Sequence, residues 1–174
     1  MTITNVVAKS SVLTPLNLSE VTRRNWNIEY KPHKFSATIW KHKAIGGTLL
    51  LFPNGNLIYL GKPSGQDPLT SAKVNIRRYA RILQKQGFIS RLGRVRLVTM
   101  SATYKLESRL SMTKLVGHFP TAVYEPEVFN ADRMRLDTGH FTCFPSGTVI
   151  VTGIHKSEGV LLSTLLELEL CPSV

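Results

Sequence analysis

The stretch FPNGNLIYLG, Phe52 to Gly61, recurs as FPSGTVIVTG, Phe144 to Gly153, at an offset of 92 residues. A second echo precedes each copy: NIEYKPHKF ends at Phe35 and TAVYEPEVF ends at Phe129, sharing Tyr-x-Pro-x-x-Phe at an offset of 94. Two motifs repeated in the same order at nearly equal spacing predict a duplication of roughly ninety residues. The 174 residues then divide into two homologous repeats, 1–88 and 89–174, together one compact domain long enough to bury a core.

Each half reads β-α-β-β-β-β-α. In the first, residues 2–8 form a β-branched strand, and a short helix runs from Asn17 to Asn25 with Asn17 or Ser19 as its cap. Pro and Gly then separate four strand-like runs, NIEY, FSATIWKHK, TLLLF and NLIYLG, as an antiparallel meander requires. A helix follows from about Leu69 to Gln86, with Val74, Ala80, Ile82 and Leu83 as its apolar stripe, Ile76 beside it and Gly87 as its stop. The second half offers LVTMSATY as a strand, a helix near Ser111 to Val116, paired strands around Phe129 and Phe144, and a last helix from Gly159 to Leu170. Between the paired phenylalanines lie intervals of 17 residues in the first half and 15 in the second. Because strand side chains alternate with period two, losing two residues at a hairpin tip leaves every later side chain on its original face.

TLLLF and NLIYLG are apolar on both faces, although a one-sided sheet should alternate. One long and one short helix per half cover one face of each meander and hardly two. The open apolar face then marks a subunit interface or an apolar ligand. Net charge is +11, and it is uneven: residues 1–88 carry 13 basic and 3 acidic side chains, residues 89–174 carry 9 and 8. Such a balance points to a polyanionic partner. The minor groove of DNA satisfies both features, since its walls are sugar and apolar side chains wedge between its base steps.

Other chemistry finds little support. Cys143 and Cys171 are too few for a disulfide framework or a cysteine-rich zinc site, which fits a reducing compartment. His33, His42, His140 and His155 lack metal-ligand spacing, and no nucleophile, base and acid set is present, so neither a metal, a cofactor nor catalysis is expected. Gly55 to Gly61 followed by Lys62 is not a phosphate loop, because Pro63 stands where Ser or Thr must hold magnesium. The N-terminus lacks the basic and apolar runs of a signal peptide, and no segment approaches eighteen uninterrupted apolar residues, so no membrane association is expected.

EYKPHKFSATIW, RRYARILQKQGF, YEPEVF and both FPxG motifs stand in an order that resembles the conserved core of the TATA-box-binding protein family, over essentially the whole chain. The resemblance implies a saddle of α+β class: two pseudo-symmetric β-α-β-β-β-β-α repeats forming one curved antiparallel ten-stranded sheet, with helices on the convex face. It implies a nuclear, non-enzymatic transcription initiation factor that binds and bends A/T-rich promoter DNA through the minor groove and nucleates a pre-initiation complex. Position by position, Phe35 with Phe52 and Phe129 with Phe144 become intercalating pairs. Minor-groove contacts fall on Asn5, Val7, Leu50, Ile58 and Leu60 in the first half, and on Thr99, Ser101, Thr142, Ile150 and Thr152 in the second. Phosphate contacts fall on Lys41, Lys43 and Arg135. Glu125, Glu127 and Val128 match the docking site for transcription factor IIB. Arg77, Arg78, Arg81 and Lys85 match a basic helix that meets regulators, a factor like transcription factor IIA being a further partner. Without DNA, self-association through the concave face is a further expectation.

The chain departs from the family pattern where a pair of asparagines is expected, keeping Asn5 but carrying Thr99, and where a threonine pair is expected, keeping Thr152 but carrying Leu60. Ser101 and Thr142 replace residues that are usually aliphatic. These departures predict a relaxed preference for TATA sequences, as in a divergent related factor. A module that binds only transcription regulators, and a small-ligand or repair domain on a related sheet, are the competing readings.

Overall fold

The computed structural model describes residues 1–65, 67–88, 91–154 and 158–172, with side chains at all of these except 158–162. The elements in chain order are β1 (Thr2–Ser11), α1 (Leu18–Arg24), β2 (Ile28–Tyr30), β3 (Thr38–Trp40), β4 (Thr48–Leu51), β5 (Asn56–Gly61), α2 (Pro68–Lys85), β6 (Arg96–Lys105), α3 (Met112–His118), β7 (Asp132–Leu136), β8 (Gly139–Cys143), β9 (Thr148–Ile154) and α4 (Glu158–Glu169). The class is α+β, an antiparallel sheet with four helices. Two compact units form: an N-terminal one, Asn5–Val98, and a C-terminal one, Thr99–Val174 with Met1–Thr4. Strand order is β2-β3-β4-β5-β1 in the first and β6-β9-β8-β7 in the second.

Nine strands form among the described residues, against the ten expected. The missing one precedes Tyr124, where Val123 makes only an isolated bridge with Arg133. Toward Phe129 the next bonding pair would be Glu125 with Ala131, but the Glu125 carbonyl accepts from Val128 and Phe129 and the Ala131 N–H donates to the Phe129 carbonyl, so the ladder stops there. The strand expected over FSATIWKHK is likewise cut to Thr38–Trp40.

Local chemistry repeats between the units. Asn17 caps α1 by accepting from Glu20 N–H, and Ser111 caps α3 by accepting from Lys114 N–H. In both copies of the FPxG motif the glycine N–H donates to the phenylalanine carbonyl at 2.9 Å, with φ of 84° at Gly55 and 82° at Gly147. A Cβ on Gly55 would lie 2.2 Å from the Val12 carbonyl oxygen, and one on Gly147 would lie 2.3 Å from that of Ser108. Only glycine tolerates both the positive φ and the close approach.

The N-terminal core lies between α2 and the sheet face carrying Trp40, Leu49, Leu51, Leu57 and Tyr59, all buried. The Tyr79 ring meets Trp40 edge-on at 5.0 Å, and Asn75 Nδ2 donates to the Tyr59 hydroxyl at 2.8 Å. Burial pushes the Tyr79 phenol up from its ordinary pKa. The stripe of α2 differs from the expected one: Ala72, Ile76, Tyr79, Ala80 and Leu83 are buried, while Val74 is exposed and Ile82 half-buried. Spacings of three and four starting from Ala72 select this face, and the hydrogen bond to Tyr59 draws the polar Asn75 into it. In the C-terminal unit Leu115 of α3 and Leu165 and Leu168 of α4 share a cluster with Met134, Phe141, Val149 and Val151.

Candidate nucleic-acid interface

Each unit carries a pair of phenylalanines built by matching turns. Phe35 N–H donates to the Lys31 carbonyl, and Phe129 N–H to that of Glu125, both at 2.9 Å. Phe52 N–H donates to Asn56, and Phe144 N–H to Thr148. The rings of Phe35 and Phe52 stand 6.1 Å apart at 68°, and those of Phe129 and Phe144 6.0 Å apart at 69°. Phe35 remains 40% exposed and Phe129 36%, while Phe52 and Phe144 are half-buried. Wide edge-to-face packing holds each ring against its mate.

Beside each pair lies the sheet face opposite the core. Alternation along the strands places Val7, Ile39, Leu50, Ile58 and Leu60 there in the N-terminal unit, all half-buried. The ladder aligns Ile39, Leu50, Ile58 and Lys9 in one row, and Thr48, Leu60 and Val7 in the next. Asn5 lies on the same strand face as Val7, two residues away. In the C-terminal unit the corresponding rows are Arg133, Thr142, Ile150 and Thr103, then Arg135, His140 and Thr152. Thr99 and Ser101 lie on β6 and are half-buried; the Thr4 hydroxyl donates to the Ser101 carbonyl at 3.2 Å. One open face is thus mainly aliphatic and the other hydroxylated and basic.

The halves also differ in backbone. Val7 pairs with Leu60 in a regular ladder, whereas the β6–β9 register shifts between Met100 and Ala102, so Thr152 and Gly153 together oppose Ser101, with Gly153 at φ 72°. Thr152 is exposed where Leu60 is half-buried. The shortened β7–β8 hairpin turns on Asp137 and Thr138 alone, and Thr142 and Cys143 keep the open and buried sides of their counterparts Leu50 and Leu51.

Charged positions fall in separate places. Lys41 and Lys43 are exposed and border a hollow with Asn27, Ile28, Glu29 and Ile39. Lys31 hydrogen-bonds to Glu29 and holds that carboxyl below its usual pKa. Arg135 is exposed opposite His140. Glu125, Glu127 and Val128 sit together, exposed, on the turn leading to Phe129. Arg77, Arg78, Arg81 and Lys85 are exposed on α2; Arg77 and Arg81 border a groove with Lys73 and Arg94 that has no acidic lining.

Sequence reading missed Arg133. Its guanidinium carbon stands 4.5 Å from the centre of the Phe129 ring. The alternating Arg-Met-Arg of β7 carried the signal, since Arg133 and Arg135 must share a face. It also missed Asp132 behind it, fully buried, with neither carboxylate oxygen hydrogen-bonded. Desolvation pushes this carboxyl up to about 6, with the nearby Val123 and Arg133 amides pulling it partly back. Cys143, its ladder partner, is pushed up to about 12, first by burial and then by the Asp132 charge.

Among the described residues no group of three His, Cys, Asp or Glu side chains could hold a metal ion, and no helix is long and apolar enough to cross a membrane. His155 lies outside the described residues.

Comparison with known proteins agrees with this architecture. A solved structure of TBP from Methanococcus jannaschii shares the fold, with a TM-score of 0.81 over 97% of this chain and 95% of that one at 24% identity. The TATA-box-binding protein-like 1 of Entamoeba histolytica is 30% identical over 161 residues, covering 91% of this chain and 73% of that protein. The TATA-box-binding protein of Acetabularia peniculus is 31% identical over 152 residues, 86% of this chain and 78% of its own. The family model described as transcription factor TFIID (or TATA-binding protein, TBP) matches residues 1–86 and 94–163. With both repeats matched, the chain belongs to the transcription factor TFIID, or TATA-binding protein, family.

Proposed function

We propose that the chain is a transcription initiation factor that binds A/T-rich duplex DNA in the minor groove, bends it, and nucleates a pre-initiation complex in the nucleus. The observation that carries this reading is the matched pair of phenylalanine pairs, each beside a sheet face that its helices leave open. Minor-groove proteins insert apolar side chains between base steps and offset the unstacking with the surface that the bent duplex then covers. Phe35 with Phe52 and Phe129 with Phe144 are the wedges. Asn5, Val7, Leu50, Ile58 and Leu60 face the groove in one repeat, and Thr99, Ser101, Thr142, Ile150 and Thr152 in the other. Lys41, Lys43 and Arg135 take phosphates. Glu125, Glu127 and Val128 dock a protein like transcription factor IIB, and the basic side of α2 receives a factor like transcription factor IIA or other regulators. Without DNA, the open apolar face pairs with a second copy.

Replacing Phe129 and Phe144 together by Ala is expected to abolish bending, read as end-to-end energy transfer in a labelled duplex, while leaving the binding of partner proteins intact. Undiminished bending by this variant would refute the wedge.

A further inference from the structure

We infer that Arg133 is a positioning residue for the Phe129 wedge and brings a cationic contact to the DNA groove at a position where the other repeat carries the uncharged Ile39. The inference rests on the DNA-binding reading above. Its starting point is the fixed geometry of β7. Arg133 exchanges both backbone hydrogen bonds with Val123, at 3.0 Å each, and pairs with Thr142 on its other side. Asp132 and Met134 point into the core, so alternation sends the Arg133 side chain to the open face. The chain reverses just before it, Ala131 N–H donating to the Phe129 carbonyl at 2.8 Å. That turn sets the Phe129 ring beneath the guanidinium, 4.5 Å away, within the range of a cation–π contact.

Among the described residues the ion pairs are Arg24 with Glu20 and Lys31 with Glu29, so Arg133 stands without a carboxylate partner. The corresponding position of the other unit is Ile39, in the row Ile39, Leu50, Ile58 and Lys9, against Arg133, Thr142, Ile150 and Thr103. The Phe35 end therefore has an aliphatic side chain where the Phe129 end has a charge. An arginine beside a wedge reaches the base edges and phosphates of the minor groove that the kink opens, and each DNA charge neutralised adds to the salt dependence of binding. Arg133 both restrains its wedge and makes the grip at that end sensitive to salt.

The test compares wild type, R133I and R133K on one labelled A/T-rich duplex, measuring affinity from 50 to 200 mM salt and bending by energy transfer. Ile is the residue the other repeat uses, and an exposed strand position accepts it; a melting curve for each variant verifies folding. R133I is expected to flatten the slope of log affinity against log salt by about 0.9, so that its ratio to wild type changes about 3.5-fold across that range, and to reduce the energy-transfer change. R133K is expected to restore the slope but not the full bend. An R133I slope equal to wild type overturns the cationic contact, even if affinity falls uniformly. Wild-type bending in R133I or R133K overturns the positioning role. Wild-type protein that fails to bend any duplex overturns the DNA-binding reading and this inference with it, a result distinct from the other two.

Discussion

Asp132 occupies the ladder position that Thr38 holds in the other unit: Asp132 faces Cys143, and Thr38 faces Leu51. Thr38 is buried but gives its hydroxyl to the Leu51 carbonyl at 3.5 Å, whereas Asp132 is buried with both oxygens unpaired. Its carboxyl, at about 6 in the folded chain against an ordinary 3.8, favours the folded state only when protonated. This contribution is fully present below the ordinary pKa and is lost as pH rises through about 6. Ionised Asp132 then costs on the order of 3 kcal/mol. Asp132→Thr is therefore expected to raise the urea midpoint at pH 8 by much more than at pH 4, and an equal shift at both would contradict the assignment. The phenylalanine pairs were legible in the sequence because local turns in their own motifs build them. Arg133 could have been found from its alternation with Arg135, whereas the complete burial of Asp132 depends on ladder partners that no local motif reveals.

Helices and hairpins show the same division. The first helix was legible from its cap, α2 from its periodicity, and the other two from the repeat of the plan; α2 ends as Gly87 suggested, with Phe88 N–H donating to the Leu83 carbonyl. The buried stripe of α2 was misread because Tyr79 and Asn75 are polar by composition, yet the partners across the layer, Trp40 and Tyr59, bring both inside. Asp67 begins that helix by accepting from the Leu69 and Thr70 amides, both at 3.1 Å, and the Thr70 hydroxyl holds its carboxyl below the usual range. Asp67→Ala should lower the melting temperature by roughly 2–4 °C, the effect of losing a cap worth about 1 kcal/mol. Asp67→Asn should recover most of it, and an Ala variant as stable as wild type would show that packing alone holds the helix. The shortened second hairpin was legible in its consequence, since removing two residues left Thr142 on the open side. The shift in register at Thr152 and Gly153 was not, because nothing in that run distinguishes a regular rung from an interrupted one.

For the whole molecule, the α+β class and, one strand aside, the element order were legible from strand punctuation and the recurrence of two motifs, but the different character of the two open faces emerges only from the register. One face presents Val7, Leu50, Ile58 and Leu60, the other Thr142, Thr152 and the arginines of β7. The minor groove chiefly separates A·T from G·C, and unequal faces are expected to relax even that. Affinities for a TATA duplex and a scrambled duplex of equal length are expected to differ little, and a large preference for TATA would reject this. A net charge of +11, concentrated in residues 1–88, draws DNA in over distances set by the ionic strength. The two halves resemble each other unevenly, and the glycines of the FPxG motif suggest why. At Gly55 and Gly147 any side chain would strike a main-chain carbonyl, and exchanging some neighbouring side chain does not move a main chain out of the way. Such positions have no compensatory route through sequence space. They are the last to change, so the same glycine turn stands in both halves while the faces around it differ.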